Sequence, residues 1–560
     1  MAQSKLVVSK FQKNIIADNQ NIENNNDEYL TSCQDKHFGI IKLHPVGSKE
    51  TFIPLHLILT IDVSSSMEEQ CGWKNKSYSK LDYVKATLKS IFKYLKNEYS
   101  DRDIIISLIS FSDSADILES YTNLNNTELQ HLYDIVDKLE AVGCTNIYDA
   151  LKKSTELYNE FEVYLNTNVE MKEKYSTPQH FKHVNILLTD GEITVGIDNP
   201  KALVEVAQPK SIELQLLGYG ADHDSKLLKT LESLTQGEYR FVDSFEAAGA
   251  VYGDVLSGML HPAWKEVSIQ IDNGLIYDYK TNKWNTSLYL PRIGDDCEKV
   301  LSCRLFNGTK ILVNYIDITE KDGLILRETK TIVSNEEENK LVNEDTQDLR
   351  CYWLRQLTIE LMNEIQTFKQ ENNLQEDQQV IQNRQMTPMR NNQNIRGNPY
   401  VPRRVFRAQG NQNKTNMLVQ KVEKLMNYVE KYELETACEL QDKNIELLKD
   451  LKDDLSVAKK SLTTMDSKND MYLNSRLSSQ ADQRAYNTYV NNADDDENDN
   501  HNYNQLSTDT QVSNVRTIRQ QARVSSHASP YAQRAMNQVA QLSQDIISTT
   551  DDDMMDIDEQ

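Results

Sequence analysis

Seven cysteines are spread over the 560 residues (Cys33, Cys71, Cys144, Cys297, Cys303, Cys351 and Cys438), with no C-x-x-C pair among them. Scattered and odd in number, they exclude a RING or zinc-ribbon site and argue for free thiols in a reducing compartment. No segment approaches the ~18 apolar residues of a membrane span. The first residues, MAQSKLVVSKFQKN, lack the roughly 7 to 15 residue apolar core of a signal peptide. A cytoplasmic protein without membrane insertion is therefore expected, with the nucleus as the alternative compartment. Positive charge is also short. The chain has 61 Lys and Arg against 85 Asp and Glu, a net charge of -24 and a pI near 4.9, which disfavours nucleic-acid binding by the whole molecule. There is no G-x-x-x-x-G-K-[ST] phosphate loop, no Ser-His-Asp arrangement, and no carboxylate pair outside the set described next. Catalysis by the chain itself is not expected.

What is there is organised around Leu55 to Met67, LHLILTIDVSSSM. Leu57, Ile58, Leu59 and Ile61 are too continuous for a half-exposed strand and too short for a helix capped at both ends, so a central parallel strand fits. The strand stops at Asp62, at the edge where open α/β sheets bind ligands. The D-x-S-x-S spacing places Asp62, Ser64 and Ser66 on one side of an extended turn. One carboxylate and two hydroxyls suit Mg²⁺ or Mn²⁺ better than zinc or copper. Two more oxygens stand at the ends of apolar segments downstream. One is Thr145 in VGCTNIYDAL, on a glycine-containing turn before a helical pattern; the other is Asp190 in VNILLTDGE, after a buried strand at Val184 to Leu188.

With these five residues in this order, the chain resembles the von Willebrand factor A (VWFA) family, whose metal-ion-dependent adhesion site is built from such D-x-S-x-S, G-x-T-N and T-D-G segments. The resemblance implies that Asp62, Ser64 and Ser66 form the first ligand loop. It also implies that Thr145 binds the metal directly or through water, that Asp190 acts through water, and that the sixth position is left for a partner's carboxylate. Where the family commonly has Gly-Gly before the Thr, this chain has Gly143-Cys144, and Cys144 is expected to pack beneath the loop. The alternative is turn chemistry alone, with Asp62 and Ser64 capping a helix start and Asp190 in an Asx-turn. Further on, GYGADHDSKLL resembles the eukaryotic branch of A-domain proteins with a C-terminal β module and helical region. Some plant members of that branch carry a RING and act as ubiquitin ligases; the zinc ligands for that are missing here.

The fold class expected is α/β, a doubly wound, mostly parallel sheet with helices on both faces. A small antiparallel β domain and a helical, partly disordered C-terminal region should follow it. A mean hydropathy of -0.62 agrees with partial disorder. Residues 1–36 are polar and Asn-rich and are expected to be disordered. Residues 37–51 hold a strand, FGIIKL, and a turn, leaning on the edge of the next domain. The A-like domain is placed at 52–260, with helices at Leu81–Leu95, Asn126–Leu139, Ile147–Leu157 and Ala247–Met259, a loop after Phe111, and a polar stretch from Val163 to His183. A polar insertion, CGWKNKSYS, lies near the metal face. His223 sits between two acids; capping by Asp224 or Ser225 is preferred there to a metal or acid/base role.

Residues 262–335 alternate in short apolar segments separated by Asp272-Asn273-Gly274 and Asn307-Gly308, which read as hairpin turns. Three apolar stripes follow. The first, Leu354 to Phe368, lies in a helix placed at 345–382; Leu418 to Tyr432 and Leu448 to Leu462 lie in a helical region at 415–490. A bundle within one chain is preferred to a coiled-coil rod. Between them, residues 383–414 form a basic flexible linker without acids, with PRRVFR as a weak RNA-binding or nuclear signal. Residues 491–560 form an acidic, mostly disordered tail with a short helix at Ala535–Ile547. This tail is expected either to fold back on the basic linker or to offer a carboxylate to the metal site. The Asn-rich insertions suggest an A·T-rich genome, that of a protist or a large DNA virus.

The function expected is protein–protein interaction, with the A-like domain gripping a partner's Asp or Glu through a bound Mg²⁺. The alternatives are a structural scaffold with a purely stabilising metal, or a substrate-receptor-like component of a ubiquitin pathway.

Overall fold

The computed structural model describes residues 5–10, 33, 35, 37–45, 53–70, 78–207, 212–242, 245–317, 326–333, 346–386, 409–436, 438, 440–464, 467–487 and 523–555, apart from isolated positions within these ranges. Most of the Asn-rich N-terminus, the insertion at 71–77, the basic stretch 387–408 with PRRVFR, the acidic block ADDDENDN and the last five residues lie outside the described residues. Two compact units result. One comprises Met1–Val8, Ile41–Leu341 and Ala481–Gln560, the other Ser9–Ile40 and Val342–Gln480. Among the described residues, Cys33, Cys144, Cys297, Cys303, Cys351 and Cys438 are free thiols, and no helix is long and apolar enough to cross a membrane.

Two strands come first, β1 (Lys5–Lys10) and β2 (Phe38–His44), and the α/β sheet then starts at β3 (Leu55–Asp62). All eight residues of β3 are buried, as its apolar run requires for a strand covered on both faces. It lies between β4 (Ile104–Phe111) and β6 (Lys182–Thr189), and the order β5-β4-β3-β6-β7-β8 is completed by β5 (Ala115–Asn123), β7 (Ile212–Tyr219) and β8 (Glu238–Val242). β3 is parallel to both neighbours, and the chain departs from it to opposite sides. The crevice at its carboxyl end is therefore a topological switch point, where such sheets bind ligands.

The edge strand β5 runs antiparallel to β4, where only a loop between Phe111 and the helix at Asn126 was expected. Its residues, ADILESYTN, are half-exposed and polar, so no alternating apolar signal marks them.

The helices are α1 (Lys80–Glu98), α2 (Leu129–Asp137), α3 (Ile147–Thr167), α4 (Val169–Lys174), α5 (Pro200–Ala207), α6 (Ser225–Leu234) and α7 (Phe245–Leu260). α1 starts at a capping box between Ser79 and Asp82. α3 runs ten residues past the expected end at Leu157, and α4 occupies part of the stretch read as merely polar. The reason is a buried stripe of Leu157, Phe161 and Leu165, the last two of which pack with Met171 and Phe181 against Ile105 at the amino end of the sheet.

At that end the strands bury two histidines, and their hydrogen bonds fix every proton. Pro178 O can only accept, so His183 Nε2–H donates to it at 3.2 Å. His183 Nδ1 must then accept from His56 Nδ1–H at 3.0 Å, and His56 Nε2 accepts from the Ser107 hydroxyl at 3.0 Å. Ser107 Oγ in turn accepts from Tyr121 N–H at 3.1 Å. Both imidazoles are neutral, and burial holds the His56 pKa well below its ordinary value and that of His183 at about 4.

The next module is one antiparallel sheet built on two long strands, β9 (Pro262–Asp278) and β12 (Lys299–Asp317), with β10 (Lys283–Asn285), β11 (Ser287–Gly294) and β13 (Leu326–Val333) paired to them. The segments around Asp272-Asn273-Gly274 and Asn307-Gly308 are not hairpins. Each lies inside one long strand, at Asn273 (φ 54) and Gly308 (φ 76), where the β9–β12 register shifts between Leu305 and Lys310. Turn-type residues here absorb a bulge. β2 pairs with β12 and β1 with β2, so the N-terminal strand joins this sheet rather than the α/β domain, and residues 5–10 of the expected disordered region are a strand.

In the second unit, α8 (Thr346–Met386), α9 (Gln409–Thr436) and α10 (Asp442–Thr463) pack on one another, and α11 (Ser467–Asp482) joins them through hydrogen bonds from Arg476 and Gln480 to Asp454. Leu354, Leu357, Leu361, Ile365 and Phe368 are buried, as are Leu418, Val422, Leu425, Val429, Tyr432, Leu448, Leu451, Leu455, Ala458 and Leu462. Both α8 and α9 reach into the range read as linker.

The first unit closes with a pair of two-residue strands, β14 (Tyr486–Asn487) and β15 (Arg523–Val524), and with α12 (Pro530–Met555). α12 is longer than the helix expected in the tail, and it lies on α7 and α1. Ala532, Ala535, Met536 and Val539 belong to the α/β core. The close approach depends on two glycines of α7. A Cβ on Gly253 would stand 2.5 Å from Met536 Cα, and one on Gly249 2.7 Å from Ala540 Cα.

Candidate functional site

Asp62 is the last residue of β3 and is wholly buried. One carboxylate oxygen accepts the Ser64 N–H at 2.8 Å, and the other accepts the Thr189 hydroxyl at 2.6 Å. After Val63 the chain turns into a short 3-10 helix, Ser65–Glu68. Ser64 Oγ lies 3.0 Å from Ser66 Oγ, and Ser66 Oγ donates to Asp190 Oδ1 at 2.7 Å. Four of the five residues singled out from sequence are thus joined in one hydrogen-bonded run at the carboxyl ends of β3 and β6.

Thr145 arrives from the loop between α2 and α3. That loop is tied to the turn after β3 by Val142 N–H to Val63 O at 2.7 Å and by Ser65 N–H to Gly143 O at 3.0 Å. Gly143 takes a positive φ of 83°, with Asp113 Oδ2 2.8 Å from where a Cβ would be. The Thr145 N–H donates to Thr194 Oγ1 at 2.8 Å. A Cβ on Gly191 would lie 3.3 Å from Thr145 Oγ1 and 3.6 Å from Ser66 Oγ, so both hydroxyls flank that glycine. Cys144 is half-exposed, with its N–H donating to Asp113 Oδ1 at 3.0 Å, rather than packed beneath the loop.

Burial dominates the electrostatics of this cluster. Burial pushes the Asp62 carboxyl up to about 6, against hydrogen bonds from Ser64 and Thr189, and Asp190 adds to the rise. Burial alone would also discharge Lys80, yet Asp190 and Glu69 together raise its pKa above the ordinary lysine value. The Lys80 ammonium lies 2.8 Å from Asp190 Oδ2. Among the described residues no three of His, Cys, Asp or Glu converge as a metal centre. The donors here are instead two carboxylates and three hydroxyls, all hard oxygens, and such a set fits Mg²⁺ or Mn²⁺ and not a thiophilic ion. Ser66 is exposed while Asp62, Ser64, Thr145 and Asp190 are buried, which leaves one open side.

Sequence reasoning missed Thr189, Lys80 and Glu69. Thr189 directly precedes Asp190 at the same strand end. Lys80 carried a signal: a cation in the first turn of a helix opposes the macrodipole. His223 is a core residue, 2.5 Å from the Tyr239 hydroxyl and 2.6 Å from Gly220 O. Asp224 caps α6 through the Leu227 N–H, the reading preferred from the sequence. The cleft of about 110 Å³ near Arg240, Arg292 and Arg484 lies away from these residues.

Residues 56–253 match the family model of the von Willebrand factor type A domain; the chain contains a VWA domain. The uncharacterized protein YfbK of Escherichia coli (strain K12) is 24% identical over 224 residues, 39% of this chain and 33% of that protein. Inter-alpha-trypsin inhibitor heavy chain H3 of Mus musculus is 22% identical over 256 residues, 45% of this chain and 26% of that protein. The chain thus spans a quarter to a third of the length of these curated relatives. Among solved structures, the ArnB paralog VWA2 from Sulfolobus acidocaldarius aligns with a TM-score of 0.42 at 16% identity, covering 80% of this chain and 92% of that one.

Proposed function

We propose that this chain is a protein-interaction factor without catalysis of its own, and that its VWA domain takes a carboxylate of a protein partner through a Mg²⁺ ion held at Asp62, Ser64, Ser66, Thr145 and Asp190. VWA domains mediate protein–protein interaction. The observation that supports the finer reading is the convergence of these five oxygen-bearing side chains, from three loops, at the switch point of the sheet. When bound, the ion supplies a fixed positive charge that accepts an outside carboxylate. Asp62 neutralises part of that charge, Ser64, Ser66 and Thr145 contribute neutral oxygens, and Asp190 orients through hydrogen bonds. Few anionic donors leave the site wanting one more.

The test is affinity capture with the full chain and its Asp62→Ala variant, each in Mg²⁺ and in EDTA, beside calorimetric Mg²⁺ titration of both. Partners lost in EDTA and in the variant, together with a lost titration, are expected. Partners retained in all four samples would move recognition elsewhere on the molecule, and an unchanged titration by Asp62→Ala would remove the metal assignment.

A further inference from the structure

Building on that reading, we propose that Lys80 is an internal competitor for the cation: its ammonium holds Asp190 when no divalent ion is present and retreats onto Glu69 when one binds. Lys80 Nζ stands between two carboxylates, 2.8 Å from Asp190 Oδ2 and 2.7 Å from Glu69 Oε2. The two partners differ in kind. The Asp190 side chain is fully buried, whereas that of Glu69 is 60% exposed and free to follow the ammonium. The Lys80 N–H also donates to Glu69 O at 3.1 Å, so the second partner stays alongside through the backbone whatever the side chains do.

Lys80 is only 5% exposed and occupies the first position of α1 after the Ser79 cap. There the helix dipole disfavours a positive charge, so helix electrostatics do not account for a lysine. Compensation of a buried acid does. Both oxygens of Asp190 are taken, Oδ1 by Ser66 and Oδ2 by Lys80. A divalent ion, or the water it carries, that engages Asp190 meets the ammonium at close range in a poorly screened setting, where like charges repel strongly. Lys80 therefore lowers the affinity of the site while keeping the metal-free chain neutralised.

The experiment is calorimetric titration with Mg²⁺ and Mn²⁺ of the full chain and of Lys80→Met, Lys80→Arg and Asp62→Ala. Lys80→Met should bind about 10-fold tighter than the parent, with Lys80→Arg within about 3-fold of it. The rise in melting temperature on adding Mg²⁺ should be larger for Lys80→Met than for the parent. A lysine that only positions Asp190 would give the opposite sign, so unchanged or weaker binding by Lys80→Met overturns the inference. Should Lys80→Met fail to fold, amine acylation of the parent chain mapped by mass spectrometry decides. Lys80 labelling should accelerate several-fold in Mg²⁺, and an unchanged rate overturns the inference. Failure of the underlying reading looks different: parent and Asp62→Ala would titrate alike, and the Lys80 inference would fall with it.

Discussion

At the carboxyl ends of β3 and β6 the chain gathers Asp62, Asp190 and Lys80; at their amino ends it gathers His56 and His183. Both sets are buried, at opposite ends of the same two strands, yet they are satisfied differently. The histidines form a closed relay of neutral hydrogen bonds from Tyr121 N–H to Pro178 O, with Phe161 stacked on His56 and Tyr158 edge-on to His183. All four ring nitrogens of the relay are engaged within the core. The acids instead depend on a lysine, and the exposed Ser66 hydroxyl opens the group to solvent. The difference separates polar residues closed within a core from polar residues with one side open to solvent.

The sharpest way to break the comparison is to put a charge at the sealed end. His56→Asp would leave a carboxylate without a cation among aromatic rings and should cost on the order of 3–5 kcal/mol, seen as loss of the cooperative thermal transition. At the open end, by contrast, Asp62→Ala should leave a folded chain that has lost divalent binding.

Acid should act at the sealed end next. The folded pKa of His183 is depressed to about 4 from an ordinary 6.5, so between these values the unfolded chain binds a proton that the folded one refuses. Stability contributed by neutral His183 is complete above about pH 6.5 and lost as pH falls toward 4, by roughly 3 kcal/mol. Urea unfolding across that window should show the loss, and a His56→Leu/His183→Leu chain should show a shallower slope. His261, likewise held at about 4 by burial and by Arg102 and Arg534, accounts for slope that remains.

The smallest effect belongs to Ser66→Ala. The hydroxyl is exposed and bonded to Asp190, so its loss should change stability by no more than about 1 kcal/mol while weakening Mg²⁺ binding several-fold in calorimetry. A large loss of stability would mean that the open end is as sealed as the other.

Sequence alone led to the five oxygen donors, because each stands at the end of an apolar run or on a glycine turn, and such ends coincide in a doubly wound sheet. It could not show that Lys80 reaches Asp190, since that contact crosses from a helix start to a strand end far along the chain. Local signals also misled where tertiary pairing overrode them. Asp272-Asn273-Gly274 has hairpin chemistry, yet Thr309 Oγ1 donates to Asn273 O at 2.6 Å and β9 continues through it. The strand β5 and the extension of α3 were missed for opposite reasons: one has too little apolar periodicity, and the other hides its stripe among charged residues.

The glycine seat on α7 bears on how the protein is made. A ribosome releases β3 to α7 long before it reaches Pro530, so during synthesis the nascent VWA domain carries an apolar face at Gly249 and Gly253 with its own covering helix still unwritten. A message cut short in the long polar stretch before α12 would yield a product that keeps that face bare.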